Sequence, residues 1–313
     1  MAKIEILGVE HDYQLTPCEQ ESDITLVFIH GWMLSQKFWQ PVIQTLKSDF
    51  NCLSYDLRGF GDSNRKAAPE PQSLSADAHS APDADWISAQ RHSSVFSPAA
   101  FAWDLHLLLN ELEVERAWLV GHSLGGTIAV WAAAMGQAHV PHRAMIDGVI
   151  CLNSGGGIYV QEDFEKFRNA GRQILKFRPP WLAKVPGLDR IFSRSNVATA
   201  VHRQWGQQLL VDFLRVNREA GERSLLDSTT PEEVLLLPRL MRHLQMPAYF
   251  LAGDRDQVMA PKFVQHLASF HPLFNSKQRN VFELKNCGHL GMIEQPRAVS
   301  QLISKLVVLH TAP

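Results

Sequence analysis

The residues with the clearest chemical potential form the run GHSLGG at 121–126. This run follows the apolar residues 117–120 and precedes a helix-forming, alanine-rich stretch, so Ser123 is expected at a tight strand-to-helix turn. Glycines at 121 and 125 suit a turn in which Cβ atoms would clash and the serine hydroxyl stays exposed. The following helix N-terminus favours a developing negative charge. Together these features indicate a nucleophilic serine.

A serine hydroxyl is a poor nucleophile at neutral pH, so it needs a general base and a group that orients the base. Two downstream runs offer such groups. Residues 251–258 (LAGDRDQV) contain Asp254 and Asp256, and residues 286–290 (NCGHL) contain His289. Each run follows an apolar segment, which places the side chains at the ends of expected strands. The sequence therefore offers serine, acid and histidine in that order, the components of an acyl-transfer triad.

The elements that would position these residues follow from the hydrophobic pattern. Short apolar runs alternate with amphipathic stretches, which is typical of an α/β fold with a mostly parallel central sheet and helices on both faces. Strands are expected at 24–30, 51–56, 117–121, 148–152, 247–252 and 280–284. Helices are expected at 36–47, 98–112, 124–135, 261–270 and 296–309.

Two segments interrupt this alternation. Residues 64–97 are rich in Ala, Pro, Ser and Asp and have few apolar residues before Trp86, so they are expected to form a flexible excursion. Residues 155–245 show helical periodicity without a convincing strand and fall between two sheet strands. We therefore expect an α/β core at 1–154 and 246–313, with an inserted helical cap at 155–245.

Composition narrows the classes of partner. The 30 basic and 32 acidic residues give a formal charge of -2, which argues against a nucleic-acid partner. Cys18, Cys52, Cys151 and Cys287 are widely spaced, with no CxxC pair, so they are interpreted as reduced thiols and not as a zinc site. The first residues lack an apolar leader, and no apolar run reaches the roughly 18 residues of a membrane span. These patterns predict a cytoplasmic protein.

Five short motifs follow one another along the chain. They are HGW at 30–32, DLRGFGDS at 56–63, GHSLGG at 121–126, GDRD at 253–256, and GH at 288–289 with EQP at 294–296. On these motifs the chain resembles the α/β-hydrolase superfamily, in its serine esterase and lipase-like branch. The resemblance extends from about Ile24 to Leu309. The excursion and the long helical segment depart from the family pattern, and both bear on substrate choice.

The resemblance implies a role for each triad residue. Ser123 is the nucleophile, and His289 is the general base and then the general acid. Asp256 holds the His289 tautomer and stabilises the imidazolium. Asp256 is preferred to Asp254 because the family's acid usually ends the G-x-x-D turn. No metal or organic cofactor is needed for this chemistry.

The resemblance also implies an oxyanion hole made of two backbone N–H groups, those of Trp32 and Leu124. The Trp32 side chain is expected either to form a wall beside the acyl group or to pack under the cap. His30 matches the histidine that braces the oxyanion loop. His122 occupies the variable position of the turn and is expected to pack or hydrogen-bond locally.

The composition of the expected cap bears on the substrate and on the location of the protein. Between residues 163 and 194 aromatic residues alternate with bases. This pattern is typical of an amphipathic cap with solvated bases, and also of a segment that lies on an anionic membrane surface. Both interpretations stay open, so peripheral membrane contact is kept beside the cytoplasmic prediction. The abundance of Phe, Trp and Leu favours a small apolar ester as substrate.

Hydrolysis of a carboxylic ester through an acyl-enzyme is the leading hypothesis. The same triad also serves C–C bond hydrolases, thioesterases and lyases of the menaquinone-pathway type, and the motifs do not separate these classes. Ser123 argues against haloalkane dehalogenase and epoxide hydrolase chemistry, which in this family uses aspartate at that position. A ligand-binding protein built on the same scaffold is a further, non-catalytic alternative.

Overall fold

In the computed structural model one eight-stranded sheet, parallel except at one edge, runs through the described part of the chain. The structure describes residues 2–63, 94–137, 144–156, 161–176, 178–275 and 279–311. The strands are β1 Ala2–Ile6, β2 Val9–Thr16, β3 Ile24–Ile29, β4 Asn51–Tyr55, β5 Arg116–His122, β6 Met145–Leu152, β7 Ala248–Gly253 and β8 Val281–Leu284. Their order in the sheet is β1-β2-β4-β3-β5-β6-β7-β8, and β2 runs antiparallel to both of its neighbours.

Helices connect the parallel strands. They are α1 Gln40–Leu46, α2 Pro98–Glu111, α3 Leu124–Gln137, α4 Gln161–Lys176, α5 Leu188–Arg194, α6 Arg203–Arg215, α7 Arg218–Asp227, α8 Pro231–His243, α9 Pro261–Ala268, α10 Gly291–Glu294 and α11 Pro296–Thr311. Short 3₁₀ helices span Gln36–Trp39, Pro180–Lys184 and Pro272–Asn275. Local sequence fixes several helix starts: the Ser97 hydroxyl accepts the Ala100 N–H at the beginning of α2, next to a proline at the first helical position.

The mostly parallel sheet with helices on both faces is confirmed. Successive residues of a strand face opposite sides of a sheet. In β3, Val27 and Ile29 belong to the apolar cluster of α2 and α3, whereas Leu26 and Phe28 belong to the cluster of α1 and α11. The sheet is therefore buried on both sides. This explains why its central strands have nearly continuous apolar sequences.

The segment between β6 and β7 contains α4 to α8 and, in its described residues, no strand. The last of these helices packs on α3, and its Leu237 and Met241 lie in the same apolar cluster as α3. The division into a core and a cap at 155–245 stays a prediction. Residues 64–93 of the expected excursion lie outside the described residues, while Phe96 beyond them is buried against the core.

Within the described ranges, the helices are all too short or too polar to cross a lipid bilayer.

Candidate active site

Ser123 forms the turn between β5 and α3 in a strained conformation. Its φ angle is 51°, in the left-handed region that L-residues other than Gly, Asn and Asp rarely adopt. A Cβ on Gly121 would lie 2.2 Å from the carbonyl oxygen of Gly125, and a Cβ on Gly125 would lie 2.3 Å from that of Ile29. The steric reason inferred from the sequence for these two glycines is therefore present in the structure.

The two residues predicted to supply an oxyanion hole share one cavity with the serine. Leu124 is the first residue of α3, and the first N–H groups of a helix have no acceptor within it. Trp32 lies in the loop that follows β3. Trp32, Leu124 and Ser123 all line this cavity, so the structure brings the three residues together.

His289 and Asp256 are paired by a hydrogen bond. Nδ1 of His289 lies 2.8 Å from Oδ2 of Asp256, and both residues are buried. The second carboxylate oxygen, Oδ1, accepts the backbone N–H groups of Val258 at 2.8 Å and Met259 at 2.9 Å, which fixes the plane of the carboxylate. Asp254 instead accepts a backbone N–H from the loop after β8. Of the two candidate acids, Asp256 is therefore the one that contacts the imidazole.

Two residues whose role the sequence does not reveal hold the backbone of His289. The His289 carbonyl oxygen lies 2.8 Å from Nε2 of His122 and accepts an N–H from Asn153 Nδ2, also at 2.8 Å. Asn153 donates to the Gly288 carbonyl at 3.0 Å, and its Oδ1 accepts the Gly253 N–H at 2.7 Å. Asn153 follows β6 directly, so one amide side chain joins the carboxyl ends of β6 and β7 to the histidine loop.

Two further histidines near the turn are buried and serve structural roles. Burial lowers the pKa of His30 to about 4 and lowers the pKa of His122 well below its ordinary value. Nε2 of His30 accepts the Leu57 N–H at 2.9 Å, so Nδ1 carries the proton and donates to the Gly31 carbonyl at 2.8 Å. His30 thus braces the loop that contains Trp32, as the resemblance implies.

A cavity of about 550 Å³ opens beside the serine. Ser123 and His289 face it, and the described residues that line it include no Lys, Arg, Asp or Glu. Its apolar walls comprise Trp32, Met33, Leu34, Leu124, Ile174, Ile191, Phe192, Leu209, Phe213, Leu225, Val258 and Met259. The site therefore combines a hydroxyl and an imidazole with a surface suited to an apolar group.

Trp32 connects the loop after β3 to the helices above it. Its indole Nε1–H donates to the Gly221 carbonyl of α7 at 2.8 Å. A Cβ on Gly171 of α4 would lie 3.2 Å from the indole ring. The side chain therefore lines the cavity and also packs on α4 and α7.

Polar contacts fasten α6 to the same loop region. Oδ2 of Asp212 accepts the Ser35 hydroxyl at 2.6 Å, and burial raises the pKa of Asp212 to about 6. Arg215 and Lys37 both contact the Asp62 carboxylate, at 2.9 Å and 2.8 Å. The two ion pairs are partly exposed and contribute little stability, whereas the buried hydroxyl-carboxylate contact fixes position.

One cluster of carboxylates has the composition of a metal site. Oxygens of Asp12, Asp56 and Asp62 lie within 4.8 Å of one another. Asp56, however, accepts the backbone N–H groups of Gln36 and Asp62, each at 2.7 Å, and burial raises the pKa of Asp56 to about 7. These contacts give the cluster a turn-shaping role.

Comparisons with known proteins agree on the fold. A family model described as alpha/beta hydrolase fold matches residues 24–296. The chain is 22% identical over 285 residues to the AB hydrolase superfamily protein YisY of Bacillus subtilis, covering 90% of each protein. It is 30% identical over 260 residues to 2-succinyl-6-hydroxy-2,4-cyclohexadiene-1-carboxylate synthase of Yersinia pseudotuberculosis, covering 82% of each.

Solved structures show the same architecture. A thermophilic esterase from Thermogutta terrifontis superposes with a TM-score of 0.68 at 21% identity, covering 99% of this chain and all of that one. The enol-lactonase from Burkholderia xenovorans superposes with a TM-score of 0.68 at 17% identity, and the match covers 98% of this chain and 100% of the enol-lactonase chain. At these identities the likeness concerns the fold alone.

Proposed function

The chain belongs to the α/β-hydrolase family, and from this premise we propose that it hydrolyses a carboxylic ester with an apolar acyl or alcohol group. The observation that carries the proposal is the apolar cavity faced by both Ser123 and His289, with Asp256 bound to the far side of the imidazole.

The hydrogen bond to Asp256 assigns the protons of the histidine. A carboxylate only accepts, so Nδ1 of His289 carries the proton and Nε2 is an acceptor, which the proposed reaction uses for the proton of the Ser123 hydroxyl. Ser123 Oγ attacks the ester carbonyl while Nε2 takes its proton. The resulting oxyanion is stabilised by the backbone N–H groups of Leu124 and Trp32. His289 then protonates the leaving alcohol, which departs as the carbonyl re-forms on an acyl-Ser123.

Deacylation repeats these steps with water. Nε2 of His289 takes a proton from water while the water oxygen attacks the acyl carbon. The bond from that carbon to Ser123 Oγ breaks, the proton returns to the serine, and the carboxylic acid leaves. All groups that act are side chains or amides of this chain, and Asp256 stabilises the imidazolium in both halves.

The cavity lining supports the substrate class. A volume of about 550 Å³ accommodates a ligand of medium size, and the described lining is mostly aliphatic and aromatic. The described lining offers hydroxyl and amide groups but no basic side chain, and burying a carboxylate without a basic partner is costly. An uncharged ester with an alkyl or aryl group therefore suits the described walls better than a sugar or a charged peptide.

A lyase of the menaquinone-pathway type is the second candidate. The 30% identity to the Yersinia synthase favours it, because that relative spans most of the chain. The product in the relative's name carries a carboxylate, for which a basic side chain would be the expected partner. The described lining of this cavity contains no Lys or Arg, which supports the ester over this alternative.

A series of p-nitrophenyl esters of increasing acyl length tests the proposal. We expect a burst of one equivalent of p-nitrophenol, followed by slower turnover, and an acyl adduct on the peptide that contains Ser123. A serine-directed fluorophosphonate should label the same residue. Absence of both turnover and labelling would contradict the proposal. Conversion of a lyase substrate would then indicate a lyase, and a ligand that binds without reacting would indicate a binding protein.

Asn153 provides a test of how the histidine is held. In Asn153→Ala the carbonyls of Gly288 and His289 lose a donor, and we expect kcat for the ester to fall about 100-fold through misplacement of the imidazole. The free energy of unfolding should fall by about 2 kcal/mol because buried polar groups lose their partner. Steady-state kinetics and thermal unfolding measure both effects.

Asn280→Ala is the matched control. Asn280 is equally buried and its Nδ2 donates to the Ala268 carbonyl, away from the cavity. We expect a smaller loss of stability, because the recorded side-chain contact of Asn280 is a single hydrogen bond and its φ is not in the left-handed region as that of Asn153 is, with kcat unchanged. Equal losses of kcat in the two variants would show that Asn153 acts only through general stability.

A further inference from the structure

The stretch 172–203 has a charge opposite to that of the rest of the chain. It contains seven bases and one acid, a formal charge of +6 within a protein of net charge -2. Asp189 pairs with Arg203 at 2.5 Å, and Arg172 pairs with Glu222 at 3.3 Å. Arg178 donates to backbone carbonyls at the end of α6. These three bases serve the fold.

Four other bases in this stretch are exposed to solvent. They are Lys176, Lys184, Arg190 and Arg194. Large apolar side chains are exposed among them. The exposed fractions are 48% for Ile174, 55% for Trp181, 36% for Val185 and 66% for Ile191. We call these eight residues the basic face. Exposed aromatic and aliphatic side chains interleaved along the chain with bases are typical of segments that enter the headgroup region of a bilayer.

The basic face lies at an opening of the cavity. Ile174 and Ile191 belong to it, and both also line the cavity that contains Ser123. Because Ile174 and Ile191 are 48% and 66% exposed and also line the cavity, they stand at its mouth. An apolar molecule that enters through this mouth would therefore move directly from the basic face to the serine.

From this arrangement we propose that the basic face docks on an anionic lipid bilayer and that the apolar ester enters the cavity from the lipid. The four bases would lie at the anionic headgroups, with Trp181 and Ile191 inserted among them. Delivery of substrate rests on the proposed ester hydrolysis, whereas docking itself does not. The two can therefore fail separately.

Sedimentation with vesicles tests the docking. The purified full chain is mixed with vesicles of phosphatidylcholine, with and without phosphatidylglycerol. We expect binding to the vesicles that contain phosphatidylglycerol and weaker binding as salt is added, because ions screen the attraction. Binding is measured without any substrate, so a failure of the proposed ester chemistry would not affect it.

A pair of charge reversals identifies the surface. Each base near an anionic surface strengthens binding about fivefold, so the double variant K184E/R194E should bind at least about 25-fold more weakly. The control K305E/R297E makes the same change of charge on the exposed side of α11 and should bind as the wild type does. Hydrolysis of a short, soluble ester should be the same in all three proteins, whereas hydrolysis of a long-chain ester held in the anionic vesicles should fall only in K184E/R194E.

Three results would overturn the proposal. The first is absence of wild-type binding to anionic vesicles, and the second is equal weakening of binding by the two double variants. The third is a dimer in sedimentation analysis that K184E/R194E dissociates while vesicle binding is absent, which would assign the face to a second copy of the chain. Thermal unfolding checks whether K184E/R194E is folded. If it is not, vesicle binding by the Trp181→Ala variant is compared with that of the wild type instead.

Discussion

Ser123→Ala is expected to lower kcat for p-nitrophenyl esters by about 10⁵-fold, because a triad that loses its nucleophile keeps only binding and oxyanion stabilisation. The burst of p-nitrophenol should disappear as well, since no acyl-enzyme forms. The fold should be unaffected, because alanine has the same Cβ as serine at the strained φ of 51°. Stopped-flow kinetics and a thermal melt measure these expectations.

Another serine of the same cavity provides the control. Ser228 lines the cavity, but its hydroxyl donates to the Leu225 carbonyl in α7. Ser228→Ala should retain the burst. If Ser123→Ala kept wild-type turnover, or if the burst vanished in Ser228→Ala instead, the assignment of the nucleophile would be wrong.

Asp256→Asn should lower kcat by about 10⁴-fold near neutral pH through a change of tautomer. The amide oxygen would keep the N–H groups of Val258 and Met259, so the amide NH₂ would face Nδ1 of His289. Nδ1 would then have to accept a hydrogen bond and Nε2 would carry the proton. An imidazole in that state cannot take the proton of Ser123.

Asp254→Asn is the matched comparison, two residues away on the same loop. Asp254 accepts the Cys287 N–H at 3.2 Å and makes no contact with the imidazole that the structure records. We expect its kcat to stay close to that of the wild type. The assignment of the acid is contradicted if Asp254→Asn loses more activity than Asp256→Asn.

Local patterns predict the centre of the fold well. The central strands are buried on both faces, so their sequences are continuous apolar runs, and the turn at Ser123 is marked by glycines within a few positions of it. The edge strands β1 and β2 are different. Their sequences, AKIEI and VEHDYQLT, mix polar and apolar residues, and much of β1 is exposed. β2 becomes a strand by pairing with β4, and β1 by pairing with β2, which a local pattern does not reveal.

Contacts between distant residues explain the parts of the site that the sequence does not predict. His122 and Asn153 hold the His289 carbonyl across 167 and 136 residues of chain. The sequence around His122 and around Asn153 does not indicate that the His289 carbonyl is their partner. The general signal is chemical: an amide side chain that directly follows a buried strand has to find hydrogen-bond partners at the carboxyl end of the sheet.

The hydrogen bond from the Trp32 indole to the Gly221 carbonyl has a consequence for attempts to redesign specificity. The backbone N–H of Trp32 is assigned to the oxyanion hole, and the Trp32 side chain is bound to a helix that lines the substrate cavity. Grafting a foreign segment in place of α4 to α7 would remove that fastening together with the old walls. New selectivity obtained in this way should therefore come with slower turnover, unless the graft brings a carbonyl acceptor to the indole.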